Sequence, residues 1–567
     1  MIHKSLFQQQ KLPEDLSIPQ FVFRHLGRSK SEVPVLHPSP YRSRAQDKPL
    51  TLLDVRDGAY AIASSLLSSD YPGGPWKKGE VVLILAENQH DYLMVCLGIM
   101  LAGGIPALLN PQFTGEELVT MMKKVKMRAV FATKSTYEAA EDALKSYEKD
   151  AEKVQLYVFE EDHARSLQKL LKDPKMGSTF DDSQIPCKPM KDIGVYCFSS
   201  GTSGLPKVVA LSHYNVVANV IQTVATLGGR MNKPRFDDAD WYNQPLLPPQ
   251  DGHEEFHISI LPQFHCYGLL MAIAALHTAT PCVVFARFDV ERFFETVQKY
   301  HITFMFVVPP MLMAIATSPL ADKYDLSSIK SFASGAASLS DELCNLVYDK
   351  KKIPVTNGYG MTEMSPLIAL QTPQDLQRNR HDVGRLVPNT EARVVDIESG
   401  EDVEPGKSGE LLLRGPQMML GYIANDKANC EVFTPNAHDP HRFLKSGDVG
   451  SIDEDVHERI KDIIKYNGYQ VSASELEDIV RSSQMVQEVA VVGKLQKDNI
   501  SKNELPWAFV TPNQKSSDES EEQRTEALLK SVNDRVPPYK KLRGVTWIDQ
   551  LPKNSSGKIL KRELIDK

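Results

Sequence analysis

The chain has 567 residues, of which 42% are hydrophobic and 24% charged. That length exceeds what one hydrophobic core supports, and the composition excludes wholesale disorder. A formal charge of -8 at pH 7 gives no basic field for nucleic acid or anionic lipid, and seven cysteines without a CxxC pair exclude a disulfide frame or a zinc ribbon.

The longest apolar runs, such as Cys96 to Leu109, are too short or too interrupted to span a bilayer. The Met1 end carries no charged-then-apolar signal pattern, and Leu564-Ile565-Asp566-Lys567 is not a peroxisomal tripeptide. The expectation is a cytoplasmic protein with no membrane span and no nucleic-acid partner. A peroxisomal address stays open.

From about residue 80 to 360, short apolar runs alternate with amphipathic ones. Val81–Leu85 reads as a strand, His90–Leu101 as a helix, Ala129–Ala132 as a strand, Glu138–Lys149 as a helix and Val154–Phe159 as a strand. Val195–Phe198 is a further strand, and Ser212–Leu227 a helix. The alternation resumes through Pro281–Phe285, Val290–Tyr300, Thr303–Val308, Leu339–Asp349 and Pro354–Asn357. This pattern predicts an α/β fold of parallel sheets covered by helices, with ligands at the carboxyl ends of the strands.

After residue 380 the character changes. Glu391–Val395 and Gly409–Arg414, divided by the turn Glu404-Pro405-Gly406, predict a small β subdomain over about 380–460. In the last hundred residues, Ser474-Glu475-Leu476-Glu477 reads as a capping box opening a helix. Strands follow at Val489–Val492 and Ala508–Val510, and Lys515–Glu522 reads as a loop tip.

Between the strand Val195–Phe198 and the following helix lie Ser199, Ser200, Gly201, Thr202, Ser203, Gly204, Leu205, Pro206 and Lys207. Glycines that let backbone N–H groups turn toward an anion, hydroxyl donors and one lysine are what a polyphosphate cradle requires. A Walker A loop is excluded, because no Gly-Lys-Ser/Thr stands at the required spacing. The bland alternative is a Ser/Gly linker, which fits poorly between a buried strand and a helix.

This loop resembles the signature of the adenylate-forming superfamily: acyl- and aryl-CoA synthetases, 4-coumarate–CoA ligases, beetle luciferases and peptide-synthetase adenylation domains. Further segments fall in that family's order. They are Leu261-Pro262-Gln263-Phe264-His265, Ser334-Gly335-Ala336-Ala337, Asn357-Gly358-Tyr359-Gly360-Met361-Thr362-Glu363, Ser446-Gly447-Asp448, Glu458 through Val471, and Pro552 through Lys558. The resemblance runs from about residue 50 to the end. It implies a large acid-activating domain over 1–460 and a smaller, mobile α+β domain over 461–567. It also implies ATP, Mg²⁺ and coenzyme A as cofactors and a carboxylic acid, aryl or medium-chain acyl, as substrate. The acid would become an acyl-adenylate and then a coenzyme A thioester. Transfer to a carrier-protein thiol or another acceptor, and a non-catalytic nucleotide or acyl sensor, are the alternatives.

Residue roles carry over on the same terms. Glu363 would hold Mg²⁺ and Thr362 contact the α-phosphate. Asn357, Gly358, Tyr359 and Gly360 fall in the nucleotide site, with Gly358 and Tyr359 lining the adenine slot. Asp448 would accept the ribose hydroxyls, backed by Arg459. Lys558 would bridge the acid's carboxylate and the α-phosphate. Lys461 matches the hinge, and Lys465, Asn467, Gly468 and Gln470 would face the nucleotide or the pantetheine tunnel. His265, Tyr267, Met271, Gly335, Ala336, Ala337 and Gly360 would wall the acid pocket.

His253-Glu254-Glu255-Phe256-His257 matches the zinc-protease pattern, but Pro248-Pro249 and Gly252 before it and the strand-like Ile258–Leu261 after it argue against the helix that chemistry needs. Three departures from the family pattern stand out. Gly228–Gly252 is long, Asn467 stands where such coenzyme A ligases often carry lysine, and only residues 449–457 separate Asp448 from Glu458-Arg459, which shortens the expected hairpin.

Overall fold

A computed structural model describes the chain except residues 1, 25, 27–33, 39–47, 114, 148–153, 161–162, 172–179, 182–185, 200–205, 228–254, 337–338, 340, 373–374, 378–381, 397–398, 436–440, 453–457, 461–462, 467–468, 496–503, 514–519, 537–539, 554–558, 560 and 566–567. Among the described residues, strands assemble into two large, mostly parallel sheets, one antiparallel sheet and two small C-terminal ones.

The first large sheet runs in the order Gly421–Tyr422, Lys207–Ser212, Ile193–Ser199, Ile105–Leu109, Val81–Leu85, Met127–Ala132, Gln155–Val158. Its strands from Ile193–Ser199 onward are parallel, and Lys207–Ser212 and Gly421–Tyr422 are added antiparallel. The second runs Arg385–Leu386, Leu367–Leu370, Val355–Gly360, Ser331–Ser334, Phe304–Val307, His257–Ser259, Cys282–Val284, Pro34–Pro38, Leu50–Thr51. It is parallel in its centre and antiparallel at both edges.

The main core lies between these sheets. All ten residues of the helix Tyr92–Leu101 are buried, as an apolar helix without a polar face must be in water. Each fully covered Leu, Ile or Val there contributes about 1.5–3 kcal/mol. The helix His213–Leu227 is also almost wholly buried, yet it carries Asn219 and Gln222. Their amides are satisfied: Asn219 exchanges bonds with the backbone of Leu367, and Gln222 donates to the Pro388 carbonyl and to Gln417. These bonds tie the helix to the second sheet and to the segments at Pro388 and Gln417 through buried polar groups that would be costly to leave unpaired.

The expected elements are found with shifted ends. Glu138–Lys149 is replaced by a helix over Lys134–Lys145, capped at Thr133, and Leu339–Asp349 by a helix over Asp341–Lys351. The strand Lys207–Ser212 was not expected; the chain folds back after the Ser/Gly loop before the helix begins. The β subdomain strands Glu391–Val395 and Gly409–Arg414 pair antiparallel, joined by Phe443–Ile452, Phe433–Thr434 and Glu458–Ile460. His3–Lys4, from the other end of the chain, completes that sheet.

Two C-terminal expectations need correction. The helix after Ser472 spans Ala473–Arg481, so Ser474 lies inside its first turn rather than at its cap. Glu477, the expected reciprocal partner, instead accepts from the Val491 amide and pairs with Lys561. Lys515–Glu522 is not all loop tip: Ser520 caps a helix over Glu521–Asn533 through a capping box with Gln523, while 514–519 lie outside the described residues. Gly228–Gly252 and His253-Glu254 also lie outside them. Glu255 and Phe256 are non-helical and His257 opens a strand. Glu255 is buried against Lys330 and Thr303.

The N-terminal helix Ile18–Phe23 docks on His213, whose Nδ1 accepts from the Ile18 amide at 3.2 Å. Burial holds this imidazole down at about 4; nearby Asp192 opposes the shift and Lys78 adds to it. The folded value lies below the ordinary 6.5, so this contribution is full above pH 6.5 and is lost as pH falls toward 4. Wild-type protein should lose about 2 kcal/mol of unfolding free energy between pH 7 and pH 5 from this group, and His213→Asn should flatten that part of the profile. Denaturant midpoints at the two pH values check it; identical slopes in both proteins would remove the assignment.

Candidate active site

The strand Ile193–Ser199 of the first sheet and the turn Thr362–Met364 that follows Val355–Gly360 of the second meet in one region, and several of the sequence-predicted residues lie there. Ser199 ends the strand Ile193–Ser199 and stands opposite Lys207 in the antiparallel register. The two strands form a hairpin whose tip is Ser200, Gly201, Thr202, Ser203 and Gly204, residues outside the described set. Lys124 donates to the Pro206 carbonyl at 3.0 Å and fixes the base of the tip. The Ser199 hydroxyl is buried with no hydrogen-bond partner among the described residues. An orphaned donor beside a hydroxyl- and glycine-rich tip suits an incoming anion.

Both hairpin strands pack against the short turn Thr362–Met364, which follows the strand Val355–Gly360 of the second sheet. Thr362 and Glu363 are buried. Glu363 accepts from the Tyr422 hydroxyl at 2.8 Å, and Lys207 Nζ lies 4.8 Å from the Tyr422 ring centroid. Lys207, Tyr422 and Glu363 therefore form one contiguous group.

Asp448 reaches the same region by a bulge. In the strand Phe443–Ile452, Lys445 pairs with Leu412 and Val449 with Glu410. Ser446, Gly447 and Asp448 thus stand opposite the single Leu411, and such an excess kinks a strand and re-aims its side chains. Gly447 takes a φ of 74°, a conformation that suits glycine. The Asp448 amide donates to Ser446 Oγ, and its carboxylate accepts from the Tyr359 hydroxyl at 2.6 Å. Asn357 is tied by its amide to Gln371, and Gly358 and Gly360 sit against Ala369 and Pro366.

The expected acid-pocket residues meet at a second wall. Asn88, beyond the strand Val81–Leu85, donates to the carbonyls of Leu261 and Phe285 and accepts from the Gln263 amide. This clamps the Pro-Gln-Phe-His segment across the two sheets. His265 then caps the helix Cys266–His277, its Nδ1 accepting from the Tyr267 amide. An accepting Nδ1 leaves the neutral ring's proton on Nε2. The half-buried Tyr267 ring faces Gly335, where an added Cβ would stand 3.4 Å from it, and lies 6.1 Å from Phe306. Ala336 holds a φ of 68°, a strained conformation for a residue with a side chain. Met271 lines a cavity of about 20 Å³, with Phe306 and Ala275, behind Tyr267. Burial pushes the Cys266 thiol well up, with Cys197 and the Glu363 charge adding to the effect, which leaves it neutral rather than nucleophilic.

Ala337, Lys461, Asn467, Gly468 and Lys558 lie outside the described residues. Arg459 pairs with Ser451, so the shortened hairpin does form, connected by 453–457. Lys465 and Gln470 are register partners in a separate antiparallel pair of strands. Sequence reasoning missed Tyr422, Lys124, Asn88 and Asn219; a tyrosine in Gly-Tyr-Ile, or a single asparagine, has no local signature that sets it apart.

Residues 38–423 match the family model described as AMP-binding enzyme, and 475–558 the one described as AMP-binding enzyme C-terminal domain. The chain belongs to the AMP-binding enzyme family. It is a member of the adenylate-forming superfamily. It is 34% identical over 508 residues to "Probable 4-coumarate–CoA ligase 1" of Dictyostelium discoideum, covering 86% of both chains. It is 32% identical over 504 residues to 4-coumarate–CoA ligase 1 of Petroselinum crispum, covering 86% of this chain and 84% of that one. The fold is that of ATP-bound MatB from Rhodopseudomonas palustris, with a TM-score of 0.77 at 22% identity over 97% of this chain and 99% of the other.

Tyr359→Phe removes the donor to Asp448 and keeps the ring. A hydrogen bond to a carboxylate contributes about 1.5–3 kcal/mol, so AMP affinity should fall by about tenfold or more. Equilibrium titration with a fluorescent AMP analogue measures this, and an unchanged dissociation constant would separate the Tyr359–Asp448 pair from nucleotide binding.

Proposed function

We propose that this protein activates a carboxylic acid with ATP, forming an acyl-adenylate and pyrophosphate, and then transfers the acyl group to coenzyme A. The observation that carries the reading is the contiguous group of Lys207, Tyr422 and Glu363 beside the orphaned Ser199 hydroxyl, with the Tyr359–Asp448 pair a few residues along the same strand and turn. The names of the curated relatives support the choice of coenzyme A as acceptor.

In this mechanism Ser199, Lys207 and the tip Ser200–Gly204 hold the triphosphate. Thr362 donates to the α-phosphate, and Asp448, steadied by Tyr359 and backed by Arg459, binds the ribose. Gly358 and Tyr359 border the base. A buried carboxylate such as Glu363 suits a hard divalent cation, and Mg²⁺ held there would neutralise charge gathering on the phosphate oxygens. The acid lies between Tyr267 and the Gly335–Ala336 turn, its carboxylate toward His265. Walls of this kind, with Met271 behind them, fit an aryl or medium-chain acyl group. Lys558 bridges carboxylate and α-phosphate.

The reading divides the chain at 460/461, with the C-terminal domain turning about Lys461 between half-reactions. Lys465, Gly468 and Gln470 then face the pantetheine path. None of the described helices is long and apolar enough to cross a membrane. Seven free cysteines fit the reducing cytoplasm, the compartment we assign.

ATP–pyrophosphate exchange with a panel of aryl and alkyl acids tests the first step, and added coenzyme A the second. No exchange with any acid would support a sensor, and exchange without thioester formation another acceptor. Lys558→Ala should lower exchange by on the order of 10²–10³ with the fold intact; near-normal exchange would remove the residue's assignment. Lys461→Pro, which stiffens the backbone, should impair thioester formation more than exchange. Equal loss of both steps would count against the pivot.

A further inference from the structure

Tyr422 lies outside every motif that led to the site, yet it touches two of the groups those motifs contain. It sits on the two-residue edge strand Gly421–Tyr422, paired opposite Val209, two residues beyond Lys207. Its hydroxyl donates to Glu363 Oε1, and its ring carries Lys207 Nζ. Both Tyr422 and Glu363 are 7% exposed.

The surroundings fix this tyrosine closely. Asn429 clamps its backbone from both sides, accepting from the Tyr422 amide at 2.7 Å and donating to its carbonyl at 2.8 Å. The neighbouring amides of Leu420 and Ile423 donate to Ala210 and Val208. The same loop returns to Glu363, whose carbonyl accepts from the Met419 amide.

We propose that Tyr422 is a positioning residue that ties the carboxylate of Glu363 to the amine of Lys207. It thereby presets the cation-binding and phosphate-binding groups as one unit before nucleotide arrives. This rests on the nucleotide reading given above. One Glu363 oxygen accepts the phenol's hydrogen bond, which orients the other for a divalent cation. The ring face holds the lysine by a cation–π contact in a partly desolvated position, from which it turns toward an anion without leaving the hairpin. A buried carboxylate and a nearby amine would otherwise be drawn into a direct ion pair that nucleotide must break. The interposed ring keeps both groups ready.

Two substitutions separate the two contacts. Tyr422→Phe keeps the ring over Lys207 and removes the donor to Glu363. Tyr422→Leu removes both. Binding of ATP is measured by calorimetry with EDTA and with Mn²⁺, and retained Mn²⁺ by its paramagnetic resonance signal. Tyr422→Phe should bind ATP in EDTA as wild type does, but show about tenfold weaker Mn²⁺ retention in the presence of ATP. Tyr422→Leu should weaken ATP binding in EDTA as well, by several-fold. A merely structural tyrosine would lower the melting temperature and leave the ratio of the two affinities unchanged. Wild-type Mn²⁺ retention by Tyr422→Phe, or equal losses in EDTA and Mn²⁺, would overturn the proposal. If wild-type protein binds ATP under neither condition, the nucleotide reading itself fails, and that outcome is distinct from either variant result.

Discussion

The hairpin that sets Ser199 opposite Lys207 is the constraint on which the rest of the site depends. Ser199 belongs to a parallel strand buried in the first sheet, so its position is set by the core and not by the loop it opens. Because the chain turns straight back, the lysine at the far end of the loop is fixed by ladder bonds to that same strand. The edge strand carrying Tyr422 is added to the returning strand, and through Tyr422 the second sheet's Glu363 is joined to the first. The order of attachment runs from core to strand to hairpin to edge to carboxylate.

Buried amides make that attachment between sheets specific. Apolar packing between the two layers would tolerate a slide of one past the other, since dispersion is not directional. Asn88 holds the segment before His265 by two bonds and Phe285 by a third, and Asn219 reads both the donor and the acceptor of Leu367. A displacement of one residue would leave these groups unpaired in the core, at about 1–3 kcal/mol each. The wall built by His265 and Tyr267 and the Thr362–Glu363 turn are thus registered to the hairpin of Ser199 and Lys207 by amides distant from all of them.

Much of this was legible from residue order, and the rest was not for identifiable reasons. Continuous apolar runs such as Val81–Leu85 announce buried parallel strands because both faces are covered. Val290–Tyr300 shows its helix plainly because one of its faces is polar. Lys207–Ser212 is missed because an antiparallel return can follow a loop of any composition, and Val-Val-Ala-Leu reads equally as the start of the next helix. The capping box at Ser474 fails because Glu477 has better partners in Val491 and Lys561, which are distant in sequence. At the site, motif residues such as Asp448 and Glu363 are identifiable from their neighbours. Tyr422 acts only through residues brought to it by folding, and no window of sequence contains that relation.

The pairing of His3–Lys4 with Glu391–Val395 bears on how the chain is made. The partner strand of this arm is translated nearly four hundred residues after it. At about 5–20 residues per second the arm waits on the order of tens of seconds beside an emerging, incomplete protein. The arm's own strand edge stays unpaired for that interval, and the helix Ile18–Phe23 meets Tyr92–Leu101 well before its other two supports, His213–Leu227 and Cys266–His277, have left the ribosome. The arm is thus made long before the strand that receives it, and it finds its place only once Glu391–Val395 has followed.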